Sequence, residues 1–134
     1  MDLSIVVPLY NEVDSLPELS EWIHRVMSSH HLSYELILVD DGSNDGSWEQ
    51  IEKLSRQYPE IRAARLRRNY GKSAALYTGF GMAGGEVVIT MDADLQDSPE
   101  EVPEMRRMII EEGYDVVSGW KKKRYDPFFS KRVP

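Results

Sequence analysis

The chain has 134 residues, enough for one compact domain, and its composition, 41% hydrophobic and 29% charged, argues against disorder. It holds no cysteine, which excludes disulfides and thiolate metal sites. Net charge is −7, divided between an acidic body (10 basic and 22 acidic residues over 1–119) and a basic tail, and so acidic a body excludes a general nucleic-acid binder.

Leu3 to Leu9 is a short apolar run around Ser4 and Pro8, read as a strand buried on both faces. With Asp2 ahead of it, it does not read as a signal peptide. Asp14 or Ser15 can cap the following helix, whose Leu16, Leu19, Trp22, Ile23 and Val26 recur at helical spacing. Tyr34 to Val39 is a second strand, ending in the turn-rich Asp40-Asp41-Gly42-Ser43-Asn44-Asp45-Gly46. A helix over about 47–58 turns Trp48, Ile51 and Leu54 inward. Ile61 to Leu66 is a weaker third strand, and 67–72 a polar loop. The small residues of 73–82 read as a closely packed helix. Glu86 to Met91 is a fourth strand, ending in Asp92-Ala93-Asp94. Ser98, Pro99 and Glu101 have the spacing of a capping box, opening a helix that Gly113 stops. Tyr114 to Ser118 is a fifth strand.

Strands alternating with helices through short loops predict a three-layer α/β/α fold with a mostly parallel sheet. Right-handed crossovers then bring the carboxyl ends of the strands to one edge, where such sheets bind ligands. The pattern covers residues 1–119. Residues 120–134 read as a basic loop leading toward a further segment. Its Lys121, Lys122, Lys123 and Arg124 suit a phosphate or a membrane surface, or equally a solvated run. No apolar run reaches the ~20 residues that span a bilayer.

Three polar clusters follow strand ends: Tyr10-Asn11-Glu12, Asp40-Asp41 and Asp92-Ala93-Asp94. Acidic groups gathered at one edge repel unless something neutralises them. Mg²⁺ takes one or two carboxylates plus substrate phosphates, so Asp92 and Asp94 are candidate ligands, with Gln96 adding a neutral oxygen. A lone Asp-x-Asp is as readily a cap or a turn; its place past a strand, opposite a second acidic pair, favours the metal. Lys72 opens a helix after Gly71, where a phosphate is favoured; the competing reading is a surface lysine.

Two motif matches fail on context. Gly79-Phe80-Gly81-Met82-Ala83-Gly84 fits G-x-G-x-x-G but ends a helix, where a dinucleotide loop must open one. The run from Asp41 to Glu52 resembles a calcium loop, but a strand enters it. His24, His30 and His31 fall in or after the first helix, are read as exposed, and show no zinc or triad spacing.

Taken together, Ile5 to Glu12, Val39 to Ser43, Arg68 to Lys72 and Met91 to Gln96 resemble, in order and spacing, the family two glycosyltransferases of GT-A fold, over roughly residues 3–119. The run from Asp92 to Glu100 is most similar to the branch that moves sugars onto polyprenyl phosphates, the dolichol-phosphate-mannose-synthase-like enzymes.

The resemblance implies a metal-dependent, inverting hexosyltransferase of cell-envelope biogenesis. Its donor would be a UDP- or GDP-sugar, and its acceptor a polyprenyl phosphate or an envelope glycan. Pro8, Tyr10, Asn11 and Glu12 would line the nucleotide pocket. Asp40 would hold the base with Asp41 beside it, and Lys72 would lie near the base and ribose or the phosphates. Asp92 and Ala93 would contact the nucleotide. Asp92, Asp94 and Gln96 would bind Mg²⁺ or Mn²⁺. A phosphate acceptor is already an anion and needs no general base. Acceptor-binding residues, and the base used with hydroxyl acceptors, would lie in a further segment. The full protein would work at the cytoplasmic face of a membrane.

Two other readings use the same residues. A receiver-like metal-binding module also carries an acidic pair at a strand end, but after its first strand, whereas Asp40-Asp41 follows the second. A nucleotidyltransferase needs a glycine-rich loop after the first strand, and Pro8 to Asp14 contains no glycine.

Overall fold

A computed structural model describes residues 1–112, 116–118 and 129–132. Strand β1 (Leu3–Leu9), helix α1 (Leu16–Ser29), β2 (Tyr34–Asp40), α2 (Ser47–Gln57), β3 (Ile61–Arg65), α3 (Lys72–Met82), β4 (Val87–Thr90), α4 (Val102–Glu112), β5 (Val116–Ser118) and β6 (Phe129–Arg132) follow in chain order. The sheet order is β3-β2-β1-β4-β6-β5. Strands β1 to β4 pair in parallel, as the alternating pattern predicts. Strand β6 runs antiparallel to both β4 and β5. The expectation of a loop throughout 120–134 therefore gives way at Phe129–Arg132, which inserts between β4 and the predicted fifth strand.

The alternation of β1 divides two cores. Leu3, Ile5, Val7 and Leu9 face the larger one, with Leu16, Leu19 and Ile23 of α1, Ile51 and Leu54 of α2, and Val102, Met105 and Ile109 of α4. Val6 faces the smaller one, with Ile37, Val39, Val88 and Ala75 of α3. Each fully buried aliphatic side chain contributes about 1.5–3 kcal/mol of transfer free energy. Among the described helices α3 alone covers its side of the sheet, because the chain reverses direction across the sheet between β3 and β4. Gly79 makes its close approach possible: a Cβ there would overlap Val6 Cγ1. The G-x-G-x-x-G match is thus a packing feature.

A network centred on the buried Glu35 carboxylate, with a half-exposed Arg62, fastens the far end of α3. Glu35 accepts the Ser4 hydroxyl at 2.5 Å and the Gly84 N–H at 2.7 Å on one oxygen, and Arg62 at 2.9 Å on the other. Burial pushes the Glu35 carboxyl upward, but the Ser4, Gly84 and Arg62 donors outweigh it and hold it below its usual 4.5. A depressed folded value means stability that is present above 4.5 and lost as pH falls through the folded value. The melting temperature should therefore fall on acidification below pH 4.5, and fall less steeply in Glu35→Gln. Equal slopes in the two proteins would remove Glu35 as a source. The substitution itself should cost about 1–3 kcal/mol at neutral pH, because buried donors lose their acceptor.

Candidate donor-binding site

The sheet order creates the site. From β1 the chain proceeds outward to β2 and β3, then returns to β4 on the other side of β1. The carboxyl ends of β1 and β4 flank this switch point, where open α/β sheets bind ligands. Pro8 widens it. The Val6 carbonyl accepts the Met91 N–H, and the Leu9 carbonyl accepts the Asp41 N–H. Even-numbered residues of β1 therefore turn their backbone polar groups toward β4. Pairing with β4 ends at Val6↔Thr90. Pro8, which has no N–H, thus faces the side where the ladder has stopped, a tolerated place for proline in a central strand.

Two adjoining clefts open here. The larger, about 320 Å³, is lined by Pro8, Leu9, Tyr10, Asp41, Asn69, Gly71, Lys72 and Asp92. The smaller, about 170 Å³, is lined by Pro8, Leu9, Tyr10, Glu12, Asp92, Ala93 and Asp94. The clusters that the sequence places at strand ends therefore converge, and Tyr10 and Asp92 belong to both clefts. Lys72 is exposed, and its Nζ lies 2.7 Å from Asp92 Oδ1 across the larger cleft.

Asp41 organises the wall. Its two oxygens accept the backbone N–H groups of Tyr70 and Gly71 at 2.8 and 3.0 Å, which folds the loop before α3 onto the end of β2. Asp40 lies behind it, fully buried. One Asp40 oxygen accepts the Ser43 N–H at 2.9 Å. The other, Oδ2, has no hydrogen-bond partner among the described residues. Asp40 and Asn11 are among the expected pocket residues that do not line either cleft. Asn11, at φ 54°, braces two loops instead. Its N–H donates to the Ser43 hydroxyl, and its side-chain oxygen accepts the Asn44 N–H. Asp45 likewise accepts from Val13 and Ser47, so these loop groups are spent on fastening rather than on a calcium ion.

The Asp92–Asp97 segment is held from both sides. The Asp92 N–H donates to the carboxylate of Asp97 at 2.8 Å, and the Ser15 hydroxyl lies 2.6 Å from the Ala93 carbonyl. Asp94 Oδ1 accepts the Gln96 N–H at 3.1 Å, and Leu95 sits at φ 67°. Gln96 is exposed and lies outside both clefts. Among the described residues no group of three or more histidine or carboxylate side chains forms a metal cage. Two hard carboxylates beside an open cleft still fit Mg²⁺ or Mn²⁺, which is commonly held by one or two carboxylates with substrate phosphates completing the shell.

Ser15 and Asp97 were hidden from sequence reasoning as site-shaping groups. Ser15 reads as an N-cap, yet it makes no cap hydrogen bond; besides Glu12 nearby, its hydroxyl meets the Ala93 carbonyl 78 residues away. Ser98 does cap, through the Glu100 N–H, into a short 3₁₀ turn ahead of α4. His24 is half-buried, with Nδ1 2.9 Å from the Tyr34 hydroxyl, rather than exposed. Lys121, Lys122, Lys123 and Arg124 lie outside the described residues.

The sequence pattern of Glycosyl transferase family 2 matches residues 4–134. The chain belongs to that family. It is 45% identical over 130 residues to an undecaprenyl-phosphate 4-deoxy-4-formamido-L-arabinose transferase of Proteus mirabilis, covering 96% of this chain and 40% of the relative. It is 38% identical over 135 residues to a dodecaprenyl-phosphate galacturonate synthase of Rhizobium johnstonii, covering all of this chain and 40% of that relative. These relatives belong to the polyprenyl-phosphate branch that the Asp92 to Glu100 run resembles. The chain spans about 40% of their length. Among solved structures, a mannosyltransferase from Pyrobaculum calidifontis in complex with GDP-Man and Mn²⁺ superposes with a TM-score of 0.83 at 20% identity, over 97% of this chain and 44% of the other. That likeness establishes the fold, which is GT-A.

Proposed function

We propose that this family two chain is the donor-binding part of a glycosyltransferase that moves a sugar from a nucleoside diphosphate to a polyprenyl phosphate. The observation that carries the reading is the convergence, in one cleft at the switch point, of Tyr10, Asp41, Lys72 and Asp92, with Asp94 in the adjoining cleft. Such a set suits an elongated ligand with an aromatic end and an anionic end.

The base and ribose would lie against Pro8, Tyr10 and the Asp41 wall. Asp40 lies behind that wall with Oδ2 unpartnered among the described residues, an acceptor that a base N–H would satisfy only if the wall opens toward it. Asp92 and Asp94 would hold Mg²⁺ or Mn²⁺, which supplies charge stabilisation to a departing diphosphate. Lys72, now on Asp92, carries a positive charge within reach of the same phosphates. Ser15 and Asp97 keep the Asp92–Asp94 backbone in place, so that its carboxylates need little rearrangement. A receiver-like module would not need the aromatic and lysine walls of the larger cleft.

Calorimetric titration with UDP and with GDP, each with Mn²⁺ and with chelator, tests the reading. Binding of one nucleotide that disappears in chelator is expected, and it identifies the donor class. Absence of binding to either would count against a donor site carried by this chain.

A further inference from the structure

Between Glu60 and Glu86 lie 25 residues without a single acid, and they carry Arg62, Arg65, Arg67, Arg68 and Lys72, half of the basic residues of 1–119. This segment is β3, the loop after it, and α3. The acidic side chains of the helices lie elsewhere: Glu18 and Glu21 on α1, Glu49 and Glu52 on α2, Glu104, Glu111 and Glu112 on α4. All three of those helices pack on the opposite side of the sheet from α3. Those helices also carry Arg25, Lys53, Arg56, Arg106 and Arg107, and Arg65 of β3 stacks on Trp48 of α2, so their side is acidic only by a small margin, whereas the loop before α3 and α3 itself carry no acid at all.

The α3 side is also aromatic. Ala75 and Gly79 are buried, whereas Tyr77 is 83% exposed and Phe80 47%. Tyr70, just ahead of the helix, is 48% exposed. Arg67, Arg68 and Tyr70 line a void of about 360 Å³, and the Arg68 guanidinium stacks 4.8 Å over the Tyr70 ring. Arg62 is paired with Glu35, and Lys72 with Asp92. Arg67 and Arg68 have no carboxylate partner among the described residues. In so acidic a chain, two adjacent arginines left without a carboxylate mark a surface suited to an external anion.

We propose that the outer face of α3 and the loop before it dock on an anionic lipid surface, with Tyr77 and Phe80 entering the headgroup region and Arg67 and Arg68 meeting lipid phosphates. Tyrosines at a bilayer interface keep their rings in the apolar zone and their hydroxyls in water. Each arginine near an anionic leaflet adds favourable binding energy that salt screens. The acid-free loop and α3 favour this orientation, since the α1, α2 and α4 side interleaves its bases with a larger number of acids. The same loop supplies Asn69, Gly71 and Lys72 to the donor cleft, so docking by this face brings that cleft close to the bilayer. The proposal rests on the polyprenyl-phosphate reading only for the presence of a membrane.

The test is co-sedimentation of the 134-residue chain with phosphatidylcholine vesicles, with and without phosphatidylglycerol. Binding is expected to require phosphatidylglycerol and to weaken with salt. Arg67→Ser with Arg68→Ser should weaken it by about thirty-fold at low salt, the equivalent of ~1 kcal/mol per residue. Tyr77→Ser with Phe80→Ser should also release the chain, while leaving its metal-dependent nucleotide affinity unchanged. Three results would overturn the proposal: no binding to anionic vesicles; binding that survives both pairs of substitutions and is lost only when Lys121, Lys122, Lys123 and Arg124 become serine; or self-association in solution that Tyr77→Ser with Phe80→Ser abolishes, which would assign the face to a second copy. Nucleotide titration of the same proteins separates this failure from a failure of the donor-site reading.

Discussion

Asp94→Asn should reduce nucleotide affinity in Mn²⁺ by about 100-fold, at or above the upper end of what loss of a mere supporting group costs a metal site, while the melting temperature stays near that of the wild type. The asymmetry follows from where Asp94 sits. It is exposed and buries nothing. The hydrogen bond that it accepts from the Gln96 N–H is one that an asparagine oxygen can also accept. The substitution also removes a negative charge from a cleft shared with Glu12 and Asp92, so repulsion in the empty protein falls. Fold and ligand binding therefore separate. In chelator the wild type and Asp94→Asn should bind the nucleotide alike. Equal affinity in excess Mn²⁺ would remove Asp94 from the site. A loss of melting temperature comparable to the loss of affinity would make it a structural residue of the Asp92–Asp97 turn.

Much of the fold is legible because its signals are local. The apolar runs of β1 and β2, and the helical spacing of Leu16, Leu19, Ile23 and Val26, arise from burial that each segment meets by itself. Strand β6 is illegible for the opposite reason. Phe-Ser-Lys-Arg is short and polar, and its pairing of Val87 with Arg132 joins residues far apart in sequence. The site divides in the same way. That Asp92, Asp41 and Tyr10 share an edge follows from parallel crossovers. That Ser15 meets Ala93, that Asp97 holds Asp92, and that Asp41 holds the loop before α3 depends on tertiary geometry. Charge is hidden by averaging: over residues 1–119 the balance is acidic, yet the loop before α3 and α3 itself, which covers one side of the sheet, carry no acid.

Gly42→Ala should be the most damaging single substitution in the site, at roughly 3–5 kcal/mol of stability. Two effects combine there. Gly42 has φ 78°, which an alanine adopts only under strain. A Cβ at this position would also fall on backbone, overlapping Arg68 C and lying 2.5 Å from Asn69 N. Backbone cannot rotate away as a flexible side chain can. The loop over 67–71 would have to move as a piece, and with it the Tyr70 and Gly71 N–H groups that Asp41 holds. Gly46 provides the control. Its φ of 93° is as strained for alanine, but the nearest atom to a Cβ is Val13 Cγ2 at 3.9 Å. Gly46→Ala should therefore cost only the conformational part, about 1–2 kcal/mol. Denaturant unfolding of both variants reads the overlap as their difference. Nucleotide titration reads its consequence, because only Gly42→Ala displaces a wall of the cleft. Equal destabilisation would mean that the loop yields without resistance, and that Asp41, rather than the contact at Gly42, sets its position.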